Sequence, residues 1–180
     1  SNESIILICN LQSDLIKTCN RLEKYDESLF HLEELLSMRE KTTLRDEQFD
    51  LKFDEIYEDF AEVYNAQKKY DESIRNYNLA IEEFCKWLEI DRTELIAFLK
   101  TPNPQLERES QIRIRYLFWM CGKVYARNNL DNEAIEYFRL AQREKPFGDL
   151  AWQYFIEENF GKAKLLWEQA IQRQETLSTS

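Results

Sequence analysis

A chain of 180 residues is long enough for one ordinary domain with a sizeable core, and its 43% apolar residues, with 11 Phe, 9 Tyr and 4 Trp, exclude a disordered tail. Only 3 Gly and 3 Pro leave little turn chemistry for a hairpin-rich sheet protein, so long helices are expected. All of the net charge of −10 falls in residues 1–101, which hold 13 Lys+Arg and 23 Asp+Glu against 11 of each in 102–180; such a surface repels phosphate backbones and argues against nucleic acid, while suiting either a basic peptide or protein partner or plain solubility.

Apolar residues recur at helical spacing nearly throughout, and the fold class is read as all-α. Helices are expected at about 3–23, 26–41, 46–67, 71–90, 92–100, 105–128, 131–144, 147–158 and 161–177, with one continuous helix over 71–100 as the alternative to a break near 91. The opening run "SIILICNL" lacks a basic flank and a small-residue cleavage site and is too short to span a bilayer, so neither an export signal nor a membrane segment is expected. Asp26, Asp71 and Asp131 stand where N-terminal helix caps are wanted. Asp91 and Glu94 have the spacing of a reciprocal capping box, and "TPNPQ" at 101–105 is the clearest break in the chain.

The string "KYDES" occurs twice, at 24–28 and 69–73. Each copy straddles a tight corner between helices, and its small Ser28 or Ser73 lets the second helix approach the first. Ala134 and Ala163 repeat that small residue. Four residues after each comes a large side chain, Leu32, Tyr77, Phe138 or Trp167, and three further on stand Leu35, Ala80, Ala141 and Ala170. On the preceding helices a small residue comes three before an aromatic, as in Ala61 and Tyr64, Gly122 and Tyr125, Ala151 and Tyr154. Four residues upstream of those small residues lies another aromatic, Tyr57, Phe118 or Phe147. These rings are read as core, each worth roughly 1.5–3 kcal/mol when buried.

Catalytic chemistry finds little purchase. His31 is the only histidine, which rules out a two-histidine metal site, and it is read as a partly exposed packing residue beside Phe30. Gly122, Gly148 and Gly161 are isolated and form no phosphate loop. Cys9, Cys19, Cys85 and Cys121 match no zinc spacing and are read as buried thiols of a reducing cytosol. No catalytic residue, metal or cofactor is expected.

The sequence of small residue, aromatic, corner, small residue, aromatic and Ala resembles the tetratricopeptide repeat (TPR). The best copy is "FWMCGKVYARNNLDNEAIEYFRLAQREKP" at 118–146, followed by "YEDFAEVYNAQKKYDESIRNYNLAI" at 57–81. "LAWQYFIEENFGKAKLLWEQAI" at 150–171 has a shortened first helix, and "LIKTCNRLEKYDESLFHLEELL" at 15–36 matches only at the corner, with Ile16 and Cys19 in place of the small and aromatic residues. The resemblance implies a single TPR-like α-solenoid over 1–180, right-handed, with about four antiparallel helix pairs near 8–41, 54–90, 115–146 and 147–177 and an insertion at 91–110. Its corner residues lie 45, 61 and 29 positions apart rather than the family's usual ~34, so the array is expected to be divergent, with elongated helices.

In this family the first helix of each pair lines a concave face that holds a peptide or partner protein. Carried over, the face presents Lys17 and Asn20 with Ser13 from the first repeat, Glu55, Glu58, Glu62 and Asn65 from the second, and Trp119, Lys123 and Arg127 from the third. Asn20 and Asn65 occupy equivalent places and suit the backbone of an extended peptide, the Glu stripe suits Lys or Arg side chains, and Trp119 offers an apolar or cation–π contact. Alternatively these are solvated helix faces, with Lys17 and Lys123 as the cations that relieve the carboxylates. Ser13, Glu58 and Glu62 stand where the family's carboxylate clamp needs Lys, Asn and Arg, so chaperone-tail binding is not expected. The reading is thus a cytoplasmic peptide- or protein-binding module. The alternatives are the sensor part of a bacterial peptide-responsive regulator and a self-associating module, such as a homodimer, joined through Ile5, Ile6 and Leu7 or Leu165 and Leu166.

Overall fold

The computed structural model describes residues 2–41, 53–100, 106–141 and 145–178, the side chains from 7 to 173 within those ranges. It is all-helical: α1 (Asn2–Arg21), α2 (Tyr25–Lys41), α3 (Phe53–Ala66), α4 (Tyr70–Trp87), α5 (Arg92–Lys100), α6 (Arg108–Arg127), α7 (Asp131–Leu140), α8 (Pro146–Ile156) and α9 (Phe160–Ser178). Each matches an expected helix. The stretch 71–100 is two helices, because α4 stops at Trp87 and Asp91 and Glu94 then cap α5 reciprocally: Glu94 N–H donates to Asp91 Oδ1 at 2.9 Å, and Asp91 N–H to Glu94 Oε2 at 3.0 Å. The expected helical residues 46–52 and 142–144 and the break at 101–105 lie outside the described residues.

The chain divides into two compact units, Ser1–Ile90 and Asp91–Ser180. In the first, α1 packs on α2, α2 on α3 and α3 on α4; in the second, α6 packs on α7 and α8, α7 on α8, α8 on α9, and the short α5 on α7. The first core gathers Cys9, Ile16, Leu32, Leu35, Ile56, Phe60 and Val63. The second gathers Ile135, Phe138, Leu150, Tyr154 and Leu166 around the small Ala126, Ala134, Ala151 and Ala163.

The corners explain the repeated string. Glu23, Lys68, Glu89, Asn129 and Glu158 all adopt positive φ, between 57° and 61°. In every case the next residue's N–H donates five positions back: Lys24 to Cys19, Lys69 to Tyr64, Ile90 to Cys85, Leu130 to Tyr125 and Asn159 to Tyr154, at 2.8–3.1 Å. The positive-φ residue itself donates three positions back. These paired bonds are the Schellman closure of a helix end, which glycine usually makes; here five residues with side chains make it.

"KYDES" begins one residue past that point. Lys24 and Lys69 are the boundary residues and Tyr25 and Tyr70 open the next helices. Asp26, Asp71 and Asp131 are therefore not caps, contrary to the sequence reading. All three lie in the first turn of their helices, where a negative charge complements the positive end of the helix dipole.

The small residue that follows four of these five corners is fully buried, and in the first unit it does more than save space. Ser73 Oγ donates to the Ala61 carbonyl at 2.7 Å, and Ser28 Oγ to the equivalent Ile16 carbonyl at 3.4 Å. The bond is longer where the bulkier Ile16 replaces Ala61. In the second unit the small residue on the first helix is Gly122, and a Cβ there would stand 2.8 Å from two ring atoms of the fully buried Phe138. That close approach requires glycine.

Candidate binding faces

In the first unit, α3 carries Asp54, Glu55, Glu58, Asp59 and Glu62, and α1 brings Lys17 within electrostatic reach of Asp59. Residues 55, 58, 59 and 62 fall at spacings of three and four, hence on one helical stripe. Glu62 and Lys17 are exposed, Glu55 and Asp59 half-buried, and Asp54 and Glu58 buried. Burial pushes the Asp59 carboxyl up to about 7; Glu62, Glu58 and Glu55 add to the rise, and Lys17 opposes it. One carboxyl of the stripe thus holds its proton near neutrality, chiefly because it is buried and secondarily because its neighbours are carboxylates. Asn20 and Asn65, at equivalent places on α1 and α3, are half-buried, and the Oδ1 of each is buried with no hydrogen-bond donor. Ser13 is buried rather than facing the groove.

Asp59 was absent from the sequence reading, which took the stripe as 55, 58 and 62. The signal was present, since position 59 is four after Glu55 and three before Glu62. His31 is half-buried, edge-on to Phe30 at 5.4 Å and 3.5 Å from Glu34.

In the second unit, α6 carries Trp119, Lys123 and Arg127. Trp119 is half-buried against the core, Lys123 Nζ lies 4.0 Å from its ring centroid, and Tyr116 lies 6.5 Å away, centroid to centroid. Arg127 Nε donates to Glu157 at the α8–α9 corner, at 3.1 Å. Two of the three thus make contacts within the unit that the sequence did not foretell, Lys123 on an aromatic face and Arg127 on a carboxylate.

A second polar cluster escaped sequence reasoning, because its members come from three helices. The Tyr154 hydroxyl of α8 donates to Asp131 of α7 and accepts from Lys162 Nζ of α9 at 2.6 Å, while Lys162 also reaches Asp131 at 2.9 Å and covers the Tyr154 ring at 4.0 Å. Burial and the bond to Asp131 push the Tyr154 hydroxyl up to about 12. Burial alone would lower Lys162, but its bonds to Tyr154 and Asp131 leave it above its usual value. These bonds tie α7, α8 and α9 together, so the cluster is a joint between helices.

The four cysteines are buried and unbridged, and burial raises the thiols of Cys9 and Cys121, which disfavours the reactive thiolate. Among the described residues no group of three His, Cys, Asp or Glu side chains is placed to hold a metal ion, and no helix is long and apolar enough to cross a membrane.

No protein family profile and no curated protein sequence matches the chain. Among solved structures it is similar to BtubC (BKLC) from P. vanneervenii, at 14% identity and a TM-score of 0.41, over 98% of this chain and 83% of that one. A likeness that slight carries no argument about this chain.

Proposed function

We propose that the protein is a TPR-like helical-repeat module that binds peptide or protein segments, and that the acidic stripe of α3, with α1 beside it, receives Lys- or Arg-bearing side chains. The observation that carries this reading is the raised carboxyl of Asp59. Burial first, and then the three neighbouring carboxyl groups of the stripe, leave Asp59 protonated near pH 7 despite Lys17. A bound cation would relieve the crowding and release that proton. The amide oxygens of Asn20 and Asn65 lack a donor in their buried positions, and a turn of each side chain toward the surface would offer them to a ligand's backbone N–H groups. The repeat reading itself is supported by the four helix hairpins α1–α2, α3–α4, α6–α7 and α8–α9 and by the burial of the repeat positions Leu32, Tyr77, Phe138, Ala61 and Ala151.

The test is fluorescence polarisation with a tiled, charge-varied peptide library. Basic peptides should bind more tightly at pH 8 than at pH 6, since binding is opposed by the proton on Asp59, and more weakly as salt rises. The Glu55→Gln, Glu58→Gln, Glu62→Gln triple variant should weaken binding about tenfold or more, a cost of roughly 1.4 kcal/mol or above. Binding that ignores this variant would remove the acidic stripe from the reading.

A second reading, self-association, has its own observation: Leu7, Leu11 and Leu15 are 60%, 59% and 41% exposed at i, i+4 spacing along α1. Of the other residues expected at an apolar end, Leu165 is exposed but Leu166 is buried, and the side chains of Ile5 and Ile6 lie outside the described residues. Light scattering across a concentration series, with Leu11→Glu as the control, separates this reading from peptide binding.

A further inference from the structure

The second unit contains a groove that the sequence reading did not anticipate. On α7, Asp131, Ile135 and Arg139 recur at i, i+4 and i+8. On α9, Lys162, Leu165 and Leu166, Gln169 and Arg173 recur at helical spacing. The two rows line one groove of about 490 Å³, with Phe147 of α8 also in its wall. That volume lies within the range of ligand-binding clefts, roughly 300–1,000 Å³.

The lining has a consistent chemistry. Ile135 and Leu166 are buried and form an apolar floor, whereas Leu165 remains 54% exposed at the rim. Three cations, Arg139, Lys162 and Arg173, and one carboxylate, Asp131, line the groove, and that carboxylate is already engaged by Lys162 and the Tyr154 hydroxyl. Arg139 lies 3.5 Å from Glu136 with both side chains about half exposed, an arrangement that contributes little in water. Arg173 stands 4.0 Å over the Phe147 ring, which holds its guanidinium at the groove wall. From Lys162 to Arg173 the helix rises about 16 Å, room for about eleven helical or five extended residues of a ligand.

We infer that this groove docks an acidic peptide segment of a partner protein. An apolar side chain of that segment packs on Ile135, Leu165 and Leu166, and its flanking carboxylates reach Arg139 and Arg173. The occupant follows from charge complementarity: a basic rim over an apolar floor favours a ligand that is acidic outside and apolar inside. The inference is independent of the acidic α3 stripe, which belongs to the other unit and has the opposite sign of charge, so either can fail without the other.

The experiment is fluorescence polarisation of the full chain with a fluorescein-labelled peptide of about eleven residues, Glu and Leu placed at helical spacing, beside the analogue with Gln for every Glu. Saturable binding of the acidic probe is expected, at least tenfold weaker for the Gln analogue. The Arg139→Gln, Arg173→Gln double variant should weaken it about tenfold or more, and Leu165→Glu at least as much. Arg108→Gln at the start of α6, outside the groove, should leave it unchanged. All four positions are at least partly exposed, and circular dichroism melts would verify that each variant folds. Absence of saturable binding, equal binding of the Gln analogue, or indifference to the double variant would each overturn the inference. So would displacement of the probe by free succinate as readily as by unlabelled peptide, which would make this a small-anion site. A concentration-dependent dimer abolished by Leu165→Glu would overturn it too, in favour of a second copy as the occupant.

Discussion

The two units pack helices by the same plan and stabilise the contact by different means. In the first, serines after the corners donate hydrogen bonds across to the neighbouring helix, at Ser28 and Ser73. In the second, alanines occupy those places, and close approach is obtained by deleting a side chain at Gly122 and by tying three helices through Tyr154, Asp131 and Lys162. Charge divides along the same boundary. Residues 1–90 hold 11 Lys+Arg and 21 Asp+Glu, while 91–180 hold 13 of each, so the whole net charge of −10 belongs to the first unit. One packing scheme thus supports an acidic face in one unit and a basic groove in the other. The scheme constrains residue size at the crossing points and leaves the outward positions open to either sign of charge.

The largest effect that would sharpen this contrast is expected at Gly122. Leucine there drives its side chain into Phe138, and the second unit should lose about 3 kcal/mol or more, read as a lower melting temperature. An unchanged melt would show that α6 and α7 have slack that the 2.8 Å approach denies.

Next comes Asp59, whose effect is confined to the first unit. The folded chain holds its proton up to about pH 7, whereas the unfolded chain releases it near 3.8. Between those values the unfolded state binds fewer protons, so stability falls as pH rises from about 4 to 7 and stays lower above. Asp59→Asn removes the titration. It should stabilise the protein at pH 8 by about 2–4 kcal/mol, leave it little changed at pH 4, and flatten the curve between. A stability curve with the same slope in the variant would assign the pH dependence elsewhere.

Much of this organisation was legible in the residues. Helical periodicity placed each helix among the described residues, and the small-residue positions were readable as crossing points because close helix approach demands small volume whatever the partner. The capping box at Asp91 was readable because both its partners lie within four residues. The corners were misread by one position: Asp26 and Asp71 look like caps, but the turn is made by the backbone of Glu23 and Lys68, whose types do not advertise positive φ. The sites were harder still. Asp59, Lys17 and Glu62 meet across two helices, and Tyr154, Asp131 and Lys162 across three. Their proximity depends on how hairpins stack, which no local spacing records.

Two smaller effects test the corner chemistry. Ser73→Ala should cost about 1 kcal/mol by leaving the Ala61 carbonyl without its buried donor, and Ser28→Ala less, in keeping with its longer bond. Denaturant melts resolve that difference. Lys68→Gly should instead stabilise by about 0.5–1 kcal/mol, because glycine adopts positive φ without a side-chain penalty, and Asn129→Gly should gain less, since asparagine tolerates that region. Equal gains at both positions would mean that the strain is unrelated to side-chain type.

The buried thiols turn the two-unit architecture into something that can be timed. Cys9, Cys19 and Cys85 lie in the first unit and Cys121 alone in the second, all shielded from solvent. A thiol-blocking reagent added to the native protein can react only as each region opens, so the order in which the four sulfurs are consumed records which half of the molecule breathes first. The chain carries its own clock of local opening, and mass spectrometry can read it without any introduced probe.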